Sequence, residues 1–501
     1  MKPSPSVSLR STQTIPSQAI TAEDVPQASS FWGISFLCAL AGIFILYSRF
    51  FDMAANGLRI PRIVLSLMIL FFLFSGRPTV FLRSVTGKIL IVFLFWISFT
   101  LIFSVWKSGS LVPYEQFLQS CLLFAIMAGL PITSAHVTRI MNTLALSGLV
   151  AALMSVVWGS DQLGRLALRD GSYLDPNYYA LALVVVIPFF WRMAASAESV
   201  VGKALAWLCL VPLLVTLART GSRGAMLGFA VMLLVLFFIS SIQTKVVLVL
   251  GSAIGLFLVL ALMPDYIRNR YLTFFDVDSK IEQQVESTGN LELDRLRADA
   301  SSAEGRKRLL LTSIALTFEH PLVGVGPGNF PTAVYDASKA AGHPHNEWLV
   351  THNSYTQMSS ETGLVGFIIF VALITSSFKN CAFVFGRSKP EGITPDMDAF
   401  NSAKYLLLSL AGLSVCIFFL AIGYEFTIYV IAGLTVSVRR AFQERTAASA
   451  EAAEALEEPQ NAVAPTPSFT PAYAGKIQSH EVPRRGAPVV AGRPVRFNRF
   501  R

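Results

Sequence analysis

One histidine and a pair of arginines are the residues of this sequence best suited to chemistry. His352 directly precedes a long apolar segment, and a neutral imidazole can accept a proton from a hydroxyl near neutral pH. Arg219 and Arg223 stand in a short Arg-Thr-Gly-Ser-Arg-Gly break between two other apolar segments. Guanidinium groups match phosphate geometry and stay charged at any relevant pH. A base and fixed cations at a membrane surface indicate chemistry on a lipid-linked, anionic substrate.

Each of these residues also has a structural interpretation. His352 is well placed to cap or hydrogen-bond the start of the helix that follows it. An arginine at a helix end can extend its charged group to water, although this explains one arginine better than an Arg-x-x-x-Arg pair. On a continuous helix Arg219 and Arg223 would share a face, whereas Gly221 and Gly224 would turn the chain and separate them.

A metal site is the third interpretation of the histidines. His343 and His345 flank a proline, and His352 follows at a distance, which is weak spacing for zinc or manganese ligands. The five cysteines lie in or beside apolar segments and show no paired zinc-type spacing. We therefore predict neither a metal nor another cofactor.

Further polar residues lie where they could support such a site. Glu361 falls about 10 Å along the apolar helix that begins after His352, where a carboxylate needs a partner such as an arginine or backbone amides. Asp175 and Asn177 open another apolar segment, and one of them is expected to cap its helix. A basic cluster at 305–308 is ambiguous by itself, and the glycines of 324–330 predict a tight turn where backbone approaches a neighbour.

Composition defines the elements that must position these residues. The chain has 501 residues, of which 53% are hydrophobic and only 14% are charged, so it predicts an all-α polytopic membrane protein. A span needs about 20 apolar residues. We predict about twelve spans, near residues 31–51, 57–75, 86–106, 114–132, 137–158, 178–193, 199–218, 224–240, 245–263, 354–376, 403–422 and 426–438.

Lysines and arginines in alternate short loops predict that both ends of the chain are cytoplasmic. The net charge of +9 is then explained by topology, and no compact basic domain is present to bind nucleic acid. We predict five regions: a disordered tail at 1–30, spans 1–9 at 31–263, an outward loop at 264–353, spans 10–12 at 354–438, and a disordered tail at 439–501. Within the loop, 291–318 has helical periodicity.

Three motifs resemble those of the O-antigen ligase and polymerase superfamily of bacterial envelope glycosyltransferases. They are the Arg219–Ala225 break, the His320–Phe330 stretch, and His352-Asn353 followed by Glu361-Thr362-Gly363. The resemblance covers about residues 160–376. Each motif is weak alone, but their order and spacing make the combination specific.

The resemblance implies a metal-independent, inverting glycosyl transfer on the periplasmic face of the bacterial inner membrane. The donor would be a polyprenyl-diphosphate-linked glycan. Arg219, Arg223 and Arg306 would bind its diphosphate, with Arg308 an alternative to Arg306, and His352 would deprotonate or orient the acceptor hydroxyl. Asn353 and Glu361 would support His352 or the loop, with Asp175 and Asn177 as further supporting residues.

Three classes of acceptor are compatible with the resemblance. A polymerase would extend a growing glycan and a ligase would use lipid A-core, whereas a related protein O-oligosaccharyltransferase would modify a protein hydroxyl. A non-enzymatic polysaccharide transporter or flippase would show similar hydropathy, but the candidate polar groups collect at one face and no matching second half is evident. Membrane lipid and other polysaccharide assembly proteins are the remaining expected partners, and nucleic acid is not expected.

Overall fold

The protein is almost entirely helical in a computed structural model that describes residues 31–55, 58, 60–162, 164–169, 171–262, 265–272, 291–340, 349–387 and 396–461. The α-helices of this described part are α1 (Trp32–Ser48), α2 (Phe50–Ala54), α3 (Ile60–Phe74), α4 (Val85–Thr100), α5 (Lys107–Gly129), α6 (Ser134–Trp158), α7 (Pro176–Ser196), α8 (Val200–Arg219), α9 (Arg223–Ile239), α10 (Ile242–Leu262), α11 (Asp265–Leu272), α12 (Leu291–Glu319), α13 (Phe330–Ala340), α14 (Ser354–Arg387), α15 (Met397–Cys416) and α16 (Phe426–Asn461).

Each predicted span coincides with one of these helices. Seven helices, or helix runs extended by a terminal 3₁₀ turn, are long and apolar enough to cross a membrane: Val85–Phe103, Lys107–Gly129, Ser134–Trp158, Pro176–Ser196, Val200–Arg219, Ser354–Arg387 and Met397–Phe419. Shorter apolar helices occupy Trp32–Ser48, Ile60–Phe74, Arg223–Ile239 and Ile242–Gly255. The chain is therefore an all-α polytopic membrane protein in its architecture, while the number twelve stays a prediction.

The centre of the helix bundle is formed by α7 and α15. In the most apolar 18-residue stretch of each helix, 78% of α7 and 67% of α15 is buried inside the protein, compared with 28% of α8. Small residues allow close packing here, because a Cβ at Gly412 of α15 would lie 2.8 Å from Val184 of α7. The residues that open α7 are therefore anchored by the most enclosed of the seven candidate spans.

Residues 264–353 contain the helix that the sequence predicted. The periodic segment 291–318 corresponds to α12, and α11 and α13 flank it. A short antiparallel hairpin, β1 (Gly159–Gln162) and β2 (Arg165–Leu168), was not predicted. Gly164 has a φ of 86° at its turn, the backbone conformation that two-residue hairpin turns require.

The C-terminal prediction needs a correction. A disordered tail was expected from residue 439, but α16 continues to Asn461. Alanine and glutamate dominate this stretch, and both have high helix propensity, so the helix extends beyond the apolar part. The described residues up to Ser449 belong to one compact unit and those from Ala450 to a second. The predicted tail at 1–30, the remainder of the C-terminal tail and His343 and His345 lie outside the described residues.

Candidate functional site

The helix that follows His352 is broken one third of the way along. Gly363 has φ 75° and ψ 177° inside α14, so the regular hydrogen-bond ladder is interrupted there. The carbonyl groups freed by this break find partners elsewhere in the protein. Trp96 donates its indole N–H to the carbonyl of Thr362 at 2.8 Å. The break thus presents backbone acceptors to neighbouring segments inside the bundle.

The glycine cluster at 324–330 docks onto this break. The backbone N–H of Val325 donates to the Ser360 carbonyl, and that of Gly326 donates to the Glu361 carbonyl, both at 2.9 Å. Gly324 has a φ of 69°, and a Cβ there would lie 2.3 Å from the Glu361 carbonyl carbon. The prediction of a tight turn that brings backbone close to a neighbour is confirmed.

Glu361 has the partners that its position demanded. Its side chain is fully enclosed, and Oε2 accepts hydrogen bonds from the backbone N–H of Gly328 at 2.8 Å and from the Tyr424 hydroxyl at 2.9 Å. The partners are therefore a backbone amide and a phenol rather than an arginine. Through them Glu361 links the glycine cluster and the connection between α15 and α16 to α14.

At the start of α14, His352 and Asn353 have different roles. The side chain of Asn353 accepts from the backbone N–H groups of Tyr355 at 2.9 Å and Thr356 at 3.2 Å, which makes Asn353 the helix cap. His352 has a φ of 51°, a left-handed conformation that is uncommon outside glycine. Within the described residues its half-buried ring makes no hydrogen bond. Capping of α14 is thus done by the neighbour of His352.

The arginine break is a turn rather than a continuous helix. α8 ends at Arg219 and α9 begins at Arg223, with Gly221 between them at a φ of 60°. Ser222 caps α9 by accepting from the backbone N–H of Ala225. Arg219 is exposed, whereas Arg223 is half-buried, so the two guanidinium groups do not share one environment.

The beginning of α7 packs against this turn. Asp175 caps α7 by accepting from the backbone N–H of Asn177 at 2.7 Å. The side-chain oxygen of Asn177 accepts from Ser222 Oγ at 2.9 Å and from Arg165 Nη2 at 2.7 Å. Arg165 also donates from Nε to the Thr220 carbonyl at 2.9 Å. Asn177 therefore connects the hairpin, the start of α7 and the arginine turn.

Asp175, Arg223 and His352 are each linked to Arg306 by electrostatic influence on a pKa. Burial lowers the pKa of the Arg306 guanidinium, Asp175 raises it, and the like charge of Arg223 lowers it further. Burial also lowers the pKa of His352, as does Arg306, whereas Asp175 raises it. We define the primary cluster as Asp175, Arg223, Arg306 and His352, while Arg308 is exposed. These side chains come from four different elements.

The arrangement favours binding of an anion beside a base. α7, α9 and α14 begin at or next to Asp175, Arg223 and His352, and helix N-termini carry partial positive charge. Two guanidinium groups against one carboxylate leave the primary cluster with a net positive charge. The roles of its members, like those of Arg219, Asn177 and Asn353, stay predictions.

Arg165 is the contributor that the sequence did not single out. It opens β2, where it pairs with Gln162 across the hairpin, and from there its guanidinium reaches the arginine turn. Gly164 shortly after a span is the local signal for the hairpin, but the long-range contact of Arg165 depends on tertiary packing. No described residues form a group of three or more metal-ligating side chains, and the two histidines flanking Pro344 lie outside the described part.

The fold and this site define a polytopic helical membrane protein with a cationic, histidine-containing cluster at the helix ends. Residues 208–371 match the family model described as O-antigen ligase. The matched segment contains both arginines of the turn, Arg306, His352 and Glu361, so the resemblance to the O-antigen ligase and polymerase superfamily is confirmed over this segment. No curated protein matches the chain significantly.

Proposed function

We propose that the protein is a glycosyltransferase of the O-antigen ligase and polymerase type. It would transfer a glycan from a polyprenyl-diphosphate carrier to a hydroxyl acceptor. The proposal is based on the primary cluster, in which Arg306 of α12 lies within electrostatic range of Arg223, at the start of α9, and of His352, just before α14. The O-antigen ligase match over 208–371 supports the same activity.

The chemistry needs only groups that this chain supplies. The acceptor oxygen attacks the anomeric carbon from the face opposite the diphosphate, forming the new glycosidic bond while the bond to the diphosphate oxygen breaks. The imidazole of His352 takes the acceptor proton, and its lowered pKa keeps it neutral and ready to do so. Arg223 and Arg306 stabilise the negative charge that develops on the leaving polyprenyl diphosphate.

The proposed setting is the periplasmic face of a bacterial inner membrane. In this topology the chain crosses twelve times, 264–353 lies outside and both chain ends are cytoplasmic. The basic residues of alternate short loops support it, as does the helix found at every predicted span. The donor then reaches the primary cluster from the outer leaflet, with its lipid tail in the membrane.

A purified-component assay tests the activity. The full-length protein in proteoliposomes is mixed with an undecaprenyl-diphosphate-linked glycan and with a glycolipid extract from source cells that lack the gene. We expect transfer of the glycan to the extract and release of undecaprenyl diphosphate, both unchanged by a chelator. Transport of the intact donor across the bilayer without glycan release would contradict the proposal and favour a flippase.

A gene deletion identifies the acceptor class. Loss of long glycan chains would indicate a polymerase, and loss of glycan on lipid A-core would indicate a ligase. Loss of protein glycosylation alone would indicate an O-oligosaccharyltransferase. We favour the polymerase and ligase assignments, because the matched family model is described as O-antigen ligase.

A further inference from the structure

A second polar group of side chains surrounds Arg49, between α1 and α2. Arg49 has a φ of 56°, which is uncommon for a residue with a side chain. Its Nη1 lies 3.2 Å from Asp52 Oδ2, and its Nη2 donates to Ser172 Oγ at 3.0 Å. The side chains of Arg49 and Asp52 keep 14% and 23% exposure, so this ion pair remains accessible from outside.

Two phenol groups and a carboxyl group complete this region. The hydroxyls of Tyr47 and Tyr178 are buried near Thr427, and the Tyr178 hydroxyl also faces Glu425. Both hydroxyls are within reach of Thr427, and that of Tyr178 is within reach of Glu425, but at poor hydrogen-bond geometry. Nε of Arg49, in contrast, has no partner within the described residues. A buried donor without a partner is costly, so Nε of Arg49 marks a place where a polar ligand or water gains a hydrogen bond.

This region adjoins the primary cluster along two elements. Tyr178 directly follows Asn177, whose side chain accepts hydrogen bonds from Arg165 and from Ser222 of the arginine turn. Glu425 directly follows Tyr424, whose hydroxyl donates to Glu361 of α14. The two regions therefore share the start of α7 and lie at the same end of the helix bundle.

The chemistry of the second region differs from that of the first. Arg49 faces two carboxyl groups, those of Asp52 and Glu425, which disfavours a diphosphate. Carboxylates accept hydrogen bonds from sugar hydroxyls, whereas guanidinium and phenol groups donate to them. Aromatic rings are present as well, with the Arg49 guanidinium carbon 5.7 Å from the Tyr173 ring centroid and 5.8 Å from that of Phe426.

We propose that Arg49, Tyr178 and Glu425 form the subsite that binds the acceptor, a hydroxyl-bearing sugar, beside the diphosphate-binding primary cluster. This inference rests on the proposed function, because it assigns the second substrate of that reaction. Glu425 and Arg49 contact the acceptor directly, and Tyr178 supplies a hydroxyl from the interior of the protein. The donor and the acceptor thus approach the start of α7 from different sides.

The test compares the two substrates separately. In the proteoliposome assay, donor and acceptor extract are each varied for the wild-type protein, Glu425→Gln and Tyr178→Phe. Each variant is expected to need about tenfold more extract for half-maximal transfer, the effect of losing one charge-assisted or buried hydrogen bond. The half-saturating donor concentration should stay within twofold. Glu115→Gln, which changes an exposed carboxylate of α5, serves as the matched control.

The outcomes are distinguishable. Unchanged acceptor dependence in both variants, or a change confined to the donor dependence, would overturn the acceptor subsite while leaving the proposed function intact. Absence of transfer by the wild-type protein would overturn the proposed function and this inference with it. Tyr178→Phe removes one hydroxyl and keeps the ring, so it tests the subsite even where Glu425→Gln fails to fold.

Discussion

At the level of single residues, the two arginines of the arginine turn, which look equivalent in the sequence, have different surroundings in the structure. Arg223 is half-buried beside Arg306, whereas Arg219 is exposed. Arg223→Lys keeps the charge but loses the planar fork, so it should weaken donor binding by about ten- to a hundredfold, from roughly 1.5–3 kcal/mol per charged hydrogen bond. Arg219→Lys should weaken donor binding less.

Donor binding is measured with the purified protein in lipid nanodiscs and a labelled undecaprenyl-diphosphate glycan. The Arg219→Lys variant is the matched control, since it makes the same substitution four residues away. Equal losses in both variants would contradict the distinction between them and return both arginines to one shared role.

The pH dependence of transfer reports the surroundings of His352. Burial and Arg306 lower its pKa from the ordinary 6.5, so the neutral base predominates at pH 7 and transfer should fall as pH drops through the lowered pKa. Arg306→Gln removes a positive charge that lowers the pKa of His352, so the decline in transfer should move to higher pH. Asp175→Asn removes a negative charge that raises the pKa of His352, so the decline should move to lower pH. Asparagine can still cap α7.

The rate of transfer at saturating substrate, measured from pH 5 to 8 in both variants, checks these signs. Shifts in opposite directions are expected, because the two replaced groups carry opposite charge. A decline that stays at the same pH in both variants would show that His352 is not the titrating base.

At the level of elements, the glycine cluster and the broken helix α14 support each other. Gly324→Ala would place a Cβ 2.3 Å from the Glu361 carbonyl carbon in a backbone with a φ of 69°. Strain of this kind costs about 1–3 kcal/mol, so the thermal unfolding midpoint should fall. Gly305→Ala is the control, since a Cβ there meets nothing within 4 Å. An unchanged midpoint for Gly324→Ala would contradict the tight docking.

Local patterns explain which elements the sequence could predict. Apolar segments of span length located all seven candidate membrane spans, because hydrophobicity and helix length are properties of consecutive residues. The helical continuation of α16 to Asn461 was missed, since low hydrophobicity was given more weight than the helix propensity of alanine and glutamate. The hairpin 159–168 was missed because two four-residue strands give little periodicity.

The site was only partly predictable for a related reason. The candidate residue types followed from their chemistry, and Glu361 was correctly expected to need a partner. That Asn353 rather than His352 caps α14, and that Gly221 interrupts the helix between Arg219 and Arg223, depends on backbone conformation at single residues. The approach of Asp175 to Arg306 joins segments more than a hundred residues apart, and no local pattern encodes such contacts.

At the level of the whole molecule, every proposed role depends on membrane orientation. Single cysteines replace Glu304 of α12, Asp336 of α13 or Gly386 of α14 in a cysteine-free background, all at exposed positions. In intact cells an impermeant thiol reagent should label the first two and leave the third, because 264–353 is proposed to face the periplasm. Labelling of only the Gly386→Cys variant would invert the topology and remove the proposed donor route.

In the proposed reaction, a lipid-linked donor and a hydroxyl acceptor meet at one end of the helix bundle. α7 is the most enclosed candidate span, and its first turn touches the arginine turn through Asn177. This enclosed helix positions Asp175, and the proposed general base catalysis requires a constant position of Asp175 relative to His352.

The most direct test of the central claim is to measure donor binding and glycan transfer together for His352→Ala. The substitution removes the proton acceptor and leaves Arg223 and Arg306 in place. We predict donor affinity within about twofold of the wild-type value and a transfer rate lower by about a hundred- to ten-thousandfold, the usual contribution of a general base. Transfer at a near-normal rate by His352→Ala would contradict the assignment of the primary cluster as the glycosyl transfer site.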